Sequence, residues 1–117
     1  MNTVVTDSQV VGETLSTLFT MFQTGPVNAV IILKNSGNNT MNYDFQEYNG
    51  TAWVDLGAQG SVLNNTLQPN QVVTLQVQSN YPQVQLIGNA SGGAFLEFSV
   101  MRYFNRSSGG MIPILNV

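Results

Sequence analysis

The sequence predicts an all-β fold, a small antiparallel β-sandwich of the jelly-roll or immunoglobulin-like kind with extended N- and C-terminal arms. Three observations predict it. Apolar residues recur mainly with a period of two, which suits strands that bury one face. Asn, Gly and Pro separate these runs at short intervals, as in sandwiches and barrels. The 117 residues, 43% of them hydrophobic, are enough for one packed domain.

The first two elements are the least regular. In residues 13–22, Leu15, Phe19 and Met21 are interspersed with threonines, which favours a strand. A helix over residues 9–22 stays open as an alternative, because one helical face would carry Val11, Leu15, Leu18 and Phe22. The unbroken apolar run within residues 27–34 predicts a strand that is buried on both faces.

The later strands follow from alternation and from turn residues. Val73, Leu75 and Val77 alternate with Thr and Gln, as a half-buried strand requires. The same pattern, bounded by Asn, Gly and Pro, recurs along the second half of the chain. The remaining strands are expected over residues 41–48, 51–56, 71–78, 83–88 and 94–104.

The dipeptide Asn49-Gly50 predicts a β-hairpin with a two-residue type I′ turn. In that register Tyr48 faces Thr51, and the apolar residues of both strands fall on one face. The expected cross-strand pairs are Phe45 with Val54, Tyr43 with Leu56 and, on the other face, Asp44 with Asp55.

The organisation of the chain is expected to be one domain with two arms. Residues 1–9 are polar and are expected to form an N-terminal arm, residues 10–106 the sandwich, and residues 107–117 a hinge with an apolar C-terminal arm. An exposed apolar strip would be an aggregation risk unless it contacted a partner or its own sheet. The predicted partner-binding residues are Met111, Ile112, Ile114, Leu115 and Val117.

Composition excludes several classes of function. The chain has neither Cys nor His, so it has no disulfide, thiolate zinc site, Cys nucleophile or imidazole base. Its net charge of −3, with one Lys and two Arg, does not suit binding to nucleic acid or to an anionic membrane. We therefore expect a protein that is not an enzyme and that uses no cofactor.

Two groups of residues are candidate sites. The carboxylates of Asp44, Glu47 and Asp55 could lie together and hold Ca²⁺, or act as a glycosidase pair, or form an ordinary solvated face. Aromatic residues beside amides could stack on sugar rings, or could be core residues of the sandwich. These aromatic candidates are Trp53, Tyr43, Tyr48, Tyr81 and Tyr103.

The polar residues are unusually poor in charge. The chain holds 43 Asn, Gln, Thr and Ser residues but only 9 charged ones, and uncharged polar groups can be buried in an interface without the desolvation cost of ions. This composition favours a subunit of a dense assembly over a freely diffusing catalyst.

The segments Ala29–Gly37, Tyr43–Trp53 and Val72–Gln78, the last after Pro69-Asn70-Gln71, resemble those of tailed-bacteriophage virion proteins, and most of all capsid decoration or cement proteins. The resemblance implies a β-sandwich on the capsid surface, as a trimer or a monomer, that bridges neighbouring subunits against internal pressure. It also implies the major capsid protein or another virion protein as partner. Alternatives are a tail, baseplate or fibre component, or a carbohydrate-binding module.

Overall fold

The alternation of apolar and polar residues builds two antiparallel sheets whose apolar faces meet, which confirms the predicted all-β sandwich. A computed structural model describes residues 3–56, 65–102, 105–106 and 110–111. Within these ranges every regular element is a strand. In particular, the described residues contain no helix that is long and apolar enough to cross a membrane.

The first sheet has four strands in the order β1-β9-β3-β7. Their bounds are β1 Thr3–Val11, β9 Ala94–Arg102, β3 Asn28–Asn35 and β7 Val72–Gln78. The second sheet has the order β2-β8-β4-β5, and β6 also pairs with β4. Its bounds are β2 Ser16–Phe22, β8 Gln83–Asn89, β4 Met41–Tyr48, β5 Trp53–Asp55 and β6 Asn65–Leu67.

The connections between the sheets define a jelly roll. From β1 to β4 the chain changes sheet at every step, and it does so again from β6 to β9. Strands β5 and β6 pair with the two ends of β4, so together they occupy one strand position of the sheet. Eight strands connected in this way form the two Greek keys of a jelly roll. Of the two expected topologies, the jelly roll is therefore the one that forms.

The core lies between β3 and β9 of the first sheet and β4 and β8 of the second. Ile31, Leu33 and Leu96 meet Phe45 and Leu86 there, all fully buried. A β-bulge in β2 shifts its register between Thr17 and Phe19. The bulge lets the two consecutive residues Leu18 and Phe19 both turn toward the core, which strict alternation would forbid.

Several strands lie close to their predicted positions. Residues 41–48 are β4, and β3, β7, β8 and the start of β9 agree with the expected bounds to within one residue. Strand β3 is not buried on both faces, however, since Ile32 is 42% exposed. The alternative helix over residues 9–22 is wrong, because Val11 ends β1 and Ser16–Phe22 form β2. The short strand β6 was not expected, since three residues are too few to show a period.

The N-terminal segment is not a free arm where the structure describes it. Residues Thr3–Val11 form β1, which pairs along its whole length with Ala94–Arg102. The physical reason is that backbone hydrogen bonds to a neighbouring strand hold an edge strand without requiring an apolar face. Nine consecutive residue pairs therefore order a segment whose side chains are mostly polar.

The hairpin after β4 has a different register from the predicted one. Tyr48 lies opposite Trp53 rather than Thr51, so the loop contains four residues and not two. Leu56 N–H donates to the Phe45 carbonyl at 3.1 Å, which places Leu56 two residues away from its expected partner Tyr43. Because the shift is an even number of residues, each side chain keeps its predicted face.

The C-terminal hinge and arm predicted from the sequence fall mainly outside the described residues. Gly110–Met111 form the short strand β11, which pairs with Asn105–Arg106, the strand β10. Residues 107–109 and 112–117 are not described, so the hinge and the apolar arm stay predictions.

Candidate interaction surfaces

Of the five partner-binding residues predicted from the sequence, the structure describes one. Met111 lies in β11, with its backbone opposite Asn105. Ile112, Ile114, Leu115 and Val117 lie outside the described residues. The described part of the chain instead places exposed apolar side chains on the side of the first sheet that faces away from the core.

This surface, called the outer face below, is formed by alternate residues of β1, β9, β3 and β7. Four large apolar side chains on it are exposed: Val10 at 68%, Val72 at 55%, Ile32 at 42% and Phe95 at 38%. Val10 lies directly opposite Phe95 in the β1–β9 pairing. An antiparallel sheet with one solvated face ordinarily carries polar residues there, so these apolar residues set the outer face apart.

Most polar groups of the outer face carry no net charge. The Thr6 and Ser99 hydroxyls are hydrogen-bonded across β1 and β9 at 3.1 Å. Lys34 and Glu97 lie opposite each other in the β3–β9 pairing, so their opposite charges balance locally. The outer face therefore combines apolar side chains with groups whose burial in a contact leaves no excess charge.

The corresponding surface of the second sheet is richer in polar groups, although Phe22 on it is 56% exposed. The Thr17 hydroxyl donates to Gln85 Oε1 at 3.1 Å, and Gln85 Nε2 donates to Gln46 Oε1 at 2.8 Å. These two hydrogen bonds run from β2 through β8 to β4, whereas Asn42 Nδ2 of β4 donates to Asn89 Oδ1 of β8 at 3.3 Å. On β5, Asp55 lies opposite Gln46, so the chain of donors ends beside a carboxylate.

The aromatic candidates do not form a common platform. Tyr48 and Trp53 face each other with their ring centroids 5.3 Å apart, but the rings are tilted by 54° and both are half-buried. Tyr43 points to the core, where burial raises the pKa of its phenol and the charge of Asp44 adds to the rise. Tyr81 lies just before β8, and Tyr103 lies outside the described residues.

The acidic candidates do not all lie on one face, although Asp55, opposite Gln46, is on the same face of the second sheet as Asp44. Asp44 and Glu47 lie on opposite faces of β4, because they are separated by an odd number of residues. Asp44 is fully buried and accepts a hydrogen bond from Phe45 N–H at 2.9 Å. Glu47 accepts one from the Ser79 hydroxyl at 2.7 Å. Among the described residues no group of three acidic side chains could hold a metal ion.

Sequence reasoning missed the outer face because it treated β1 as part of an arm. The relevant signal was present: Val4-Val5 and Val10-Val11 are β-branched pairs that suit a strand. What the sequence did not indicate is that β1 pairs with β9, and this pairing places Val10 beside Phe95. Exposed apolar residues become recognisable as a surface only once the strand order is known.

Comparison of the sequence with protein-family models and with curated proteins gives no relative on which to base a function. No protein-family model matches the chain, and no curated protein sequence matches it.

Proposed function

We propose that this chain is a non-enzymatic structural protein of a viral particle, which decorates or cements the capsid by bridging neighbouring subunits. Its partners would be the major capsid protein or another virion protein, together with further copies of itself, a trimer being one such arrangement. It would act on the capsid surface, by contact alone and without a cofactor.

The observation that carries the proposal is the outer face. Val10, Val72, Ile32 and Phe95 expose apolar surface among uncharged polar groups and a balanced Lys34–Glu97 pair. Burial of apolar surface contributes about 25 cal/mol per Å². An apolar surface without excess charge thus favours contact with another protein, and repetition over a symmetric shell multiplies a modest contact.

The fold and the composition support the proposal by analogy. Jelly rolls occur in viral capsid domains and in lectins, although a fold alone does not determine a function. With 9 charged residues in 117, the chain has few ions to desolvate when it packs against neighbours. The predicted apolar residues Met111, Ile112, Ile114, Leu115 and Val117 would add a second contact to that of the outer face.

The test is binding to particles. Particles purified from the native source are imaged by electron cryomicroscopy, and density for a jelly roll on the shell is expected. Purified chain is then added to particles that lack it. Two changed chains should bind less: the double variant Val10→Ser/Ile32→Ser, and a chain truncated after Gly110. The control Phe22→Ser changes an exposed residue of the second sheet and should bind normally.

The proposal fails if the chain is absent from the particles. It also fails if the outer-face variant and the truncated chain both bind shells as the native chain does. Density on a tail, baseplate or fibre would favour the first alternative instead.

A second candidate function is binding of carbohydrate on the polar surface of the second sheet. The specific observation is the chain Thr17–Gln85–Gln46, which ends beside Asp55, next to the Tyr48–Trp53 pair. Amides, carboxylates and aromatic rings are groups that can orient a small ligand. Saturable binding on a glycan array that is lost in Trp53→Ala and kept in Tyr81→Ala would favour this function.

A further inference from the structure

A crevice opens at one edge of the sandwich, between the edge strands β1 and β2. Its volume is about 170 Å³. Five apolar side chains contribute to its walls, from β1, β2 and β9: Val5, Phe19, Met21, Phe98 and Val100. Phe19 and Phe98 stack across the two sheets with their ring centroids 4.4 Å apart, so they form a firm apolar surface inside the crevice.

The size of the crevice suits one compact apolar group. An apolar cavity of about 150 Å³ in another protein holds benzene, and the crevice is similar in volume. Val5 lies at its opening, since it is 44% exposed, whereas Met21 and Val100 are buried. A phenyl or branched aliphatic group could therefore enter past Val5 and contact the aromatic stack.

Two opposite charges border the crevice at different ends. In the β1–β9 pairing, Arg102 lies opposite Thr3 and Asp7 lies opposite Phe98. The two positions are four residues apart on β9, which corresponds to about 13 Å along the strand. An anionic group on a ligand would be attracted to the Arg102 end and repelled from the Asp7 end.

The charge of Arg102 is not neutralised by the hydrogen bond that it makes. Its Nη1 donates to the Phe22 carbonyl oxygen at 2.8 Å, and this acceptor is neutral. The buried Nε atom has no hydrogen-bond partner among the described residues. Arginine suits carboxylate because its planar guanidinium can donate two parallel hydrogen bonds.

From these contacts we infer that the crevice between β1 and β2 binds an apolar carboxylate. The apolar group lies against Phe19, Phe98 and Met21, and the carboxylate contacts the guanidinium of Arg102. Asp7 disfavours the reverse orientation. This binding site is independent of the outer face and of the contacts proposed above for assembly.

The experiment uses the full chain labelled with ¹⁵N and ¹³C, and 3-phenylpropanoate as the probe. Titration followed by NMR should shift the signals of Val5, Met21 and Val100 in a saturable way. The uncharged probe 3-phenylpropanol should bind at the same place but more weakly. Acetate, which lacks the apolar group, should leave these signals unchanged.

Two pairs of variants separate charge from shape. Arg102→Gln should weaken binding of 3-phenylpropanoate about tenfold, the usual contribution of a hydrogen bond to a charged group, and leave 3-phenylpropanol unaffected. Its control is Lys34→Gln, which removes a cation from the outer face. Val5→Trp should fill the crevice and abolish binding of both probes, whereas Val10→Trp, on the opposite face of β1, should leave binding intact.

The inference is overturned if 3-phenylpropanoate shifts no crevice signal, or if Arg102→Gln binds the two probes as the native chain does. Circular dichroism of each variant checks that it is folded. The carboxylate could belong to a free acid or to the C-terminus of a peptide. If N-acetyl-Gly-Gly-Phe binds more tightly than 3-phenylpropanoate, and its C-terminal amide does not bind, the source is the C-terminus of a peptide. If 3-phenylpropanoate binds more tightly than the peptide, the source is a free acid.

Discussion

Asn35 of the first sheet donates a hydrogen bond from Nδ2 to the carbonyl oxygen of Leu67 in the second sheet, at 2.9 Å. The same nitrogen donates to the Asn39 carbonyl at 2.8 Å, and Oδ1 accepts from Gly37 N–H at 3.0 Å. Asn35 is fully buried. One side chain thus joins β3, the turn after it and β6, and its bond to Leu67 is buried from water.

Replacement of Asn35 by Asp should destabilise the fold strongly. Aspartate has nearly the same shape, but it loses both donors and brings a charge into a buried position. We expect the free energy of unfolding to fall by about 3 kcal/mol or more, because two carbonyls lose their partner and the carboxylate is desolvated. Urea denaturation followed by circular dichroism measures the change.

The control for this prediction is Asn39→Asp. Asn39 donates from Nδ2 to the Gly93 carbonyl at 2.9 Å, but this bond is exposed to water. Its loss should therefore cost less than about 1 kcal/mol. Equal losses of stability in the two variants would contradict the bridging role of Asn35.

Gly37→Ala should destabilise the fold by about 1–3 kcal/mol, the usual cost of overpacking. A Cβ at this position would lie 2.8 Å from Phe95 N and 2.9 Å from Ala94 Cα, both backbone atoms that cannot rotate away. The close approach arises because Ser36 N–H donates to the Phe95 carbonyl at 2.8 Å and holds the two segments together.

Gly12→Ala is the matched control, because a Cβ there would meet no atom within 4 Å. This variant should stay within about 0.5 kcal/mol of the native chain. The thermal unfolding midpoints of the two variants provide the measurement. A midpoint for Gly37→Ala as high as that for Gly12→Ala would show that the β3–β9 contact relaxes freely.

The hairpin after β4 shows why local sequence signals did not give the register. Asn-Gly predicts a two-residue turn only if both residues adopt positive φ. Among the described residues, Asn70 is the non-glycine residue with positive φ, so Asn49 does not adopt that turn. Asn49 Oδ1 instead accepts hydrogen bonds from Thr51 N–H at 2.9 Å and Ala52 N–H at 3.0 Å, which stabilises a four-residue loop.

Asn49→Ala should therefore lower the stability by about 1 kcal/mol, because two backbone donors lose their common acceptor. Asn49→Asp keeps the acceptor oxygen and should be close to native stability. Guanidinium denaturation of the two variants, compared with the native chain, measures the difference. If Asn49→Asp were as unstable as Asn49→Ala, the acceptor role of the side chain would be wrong.

The alternation of apolar and polar residues predicted the strands that bury one face against the core, because apolar side chains lie on the buried face and polar ones on the solvated face. For Val73, Leu75 and Val77 in β7 the pattern and the structure agree. Strand β1 was not predicted because its side chains do not alternate between apolar and polar. Asp7 and Gln9 lie on the row that faces inward, but they are exposed because β1 is at the edge of the sheet. The pairing of β1 with β9 along nine residues is a backbone feature that the alternation of side chains does not show.

The candidate surfaces were less predictable than the strands, since they depend on which strands become neighbours. Val10 and Phe95 are 85 positions apart, and no local pattern brings them together. The same holds for Phe19 and Phe98, whose stack forms part of the crevice. The jelly-roll connections bring both pairs together, and the sequence alone left the choice between jelly roll and immunoglobulin-like topology open.

The buried phenol of Tyr43 predicts a loss of stability at high pH. Burial, followed by the charge of Asp44, raises its pKa above the ordinary value near 10. Above that value the unfolded chain releases the Tyr43 proton while the folded chain keeps it, so the folded state binds more protons. Stability contributed by this group is therefore constant below about pH 10 and falls as the pH rises toward the folded-state pKa.

Urea denaturation between pH 8 and pH 11.5 measures this dependence, and absorbance at 295 nm follows ionisation of the phenols. In Tyr43→Phe the fall in stability above pH 10 should be smaller than in the native chain, because Phe has no proton to release. Tyr81→Phe, which changes a tyrosine that is 37% exposed, is the matched Tyr→Phe control for the loss of one hydroxyl. An unchanged slope in Tyr43→Phe would mean that another group causes the alkaline loss of stability.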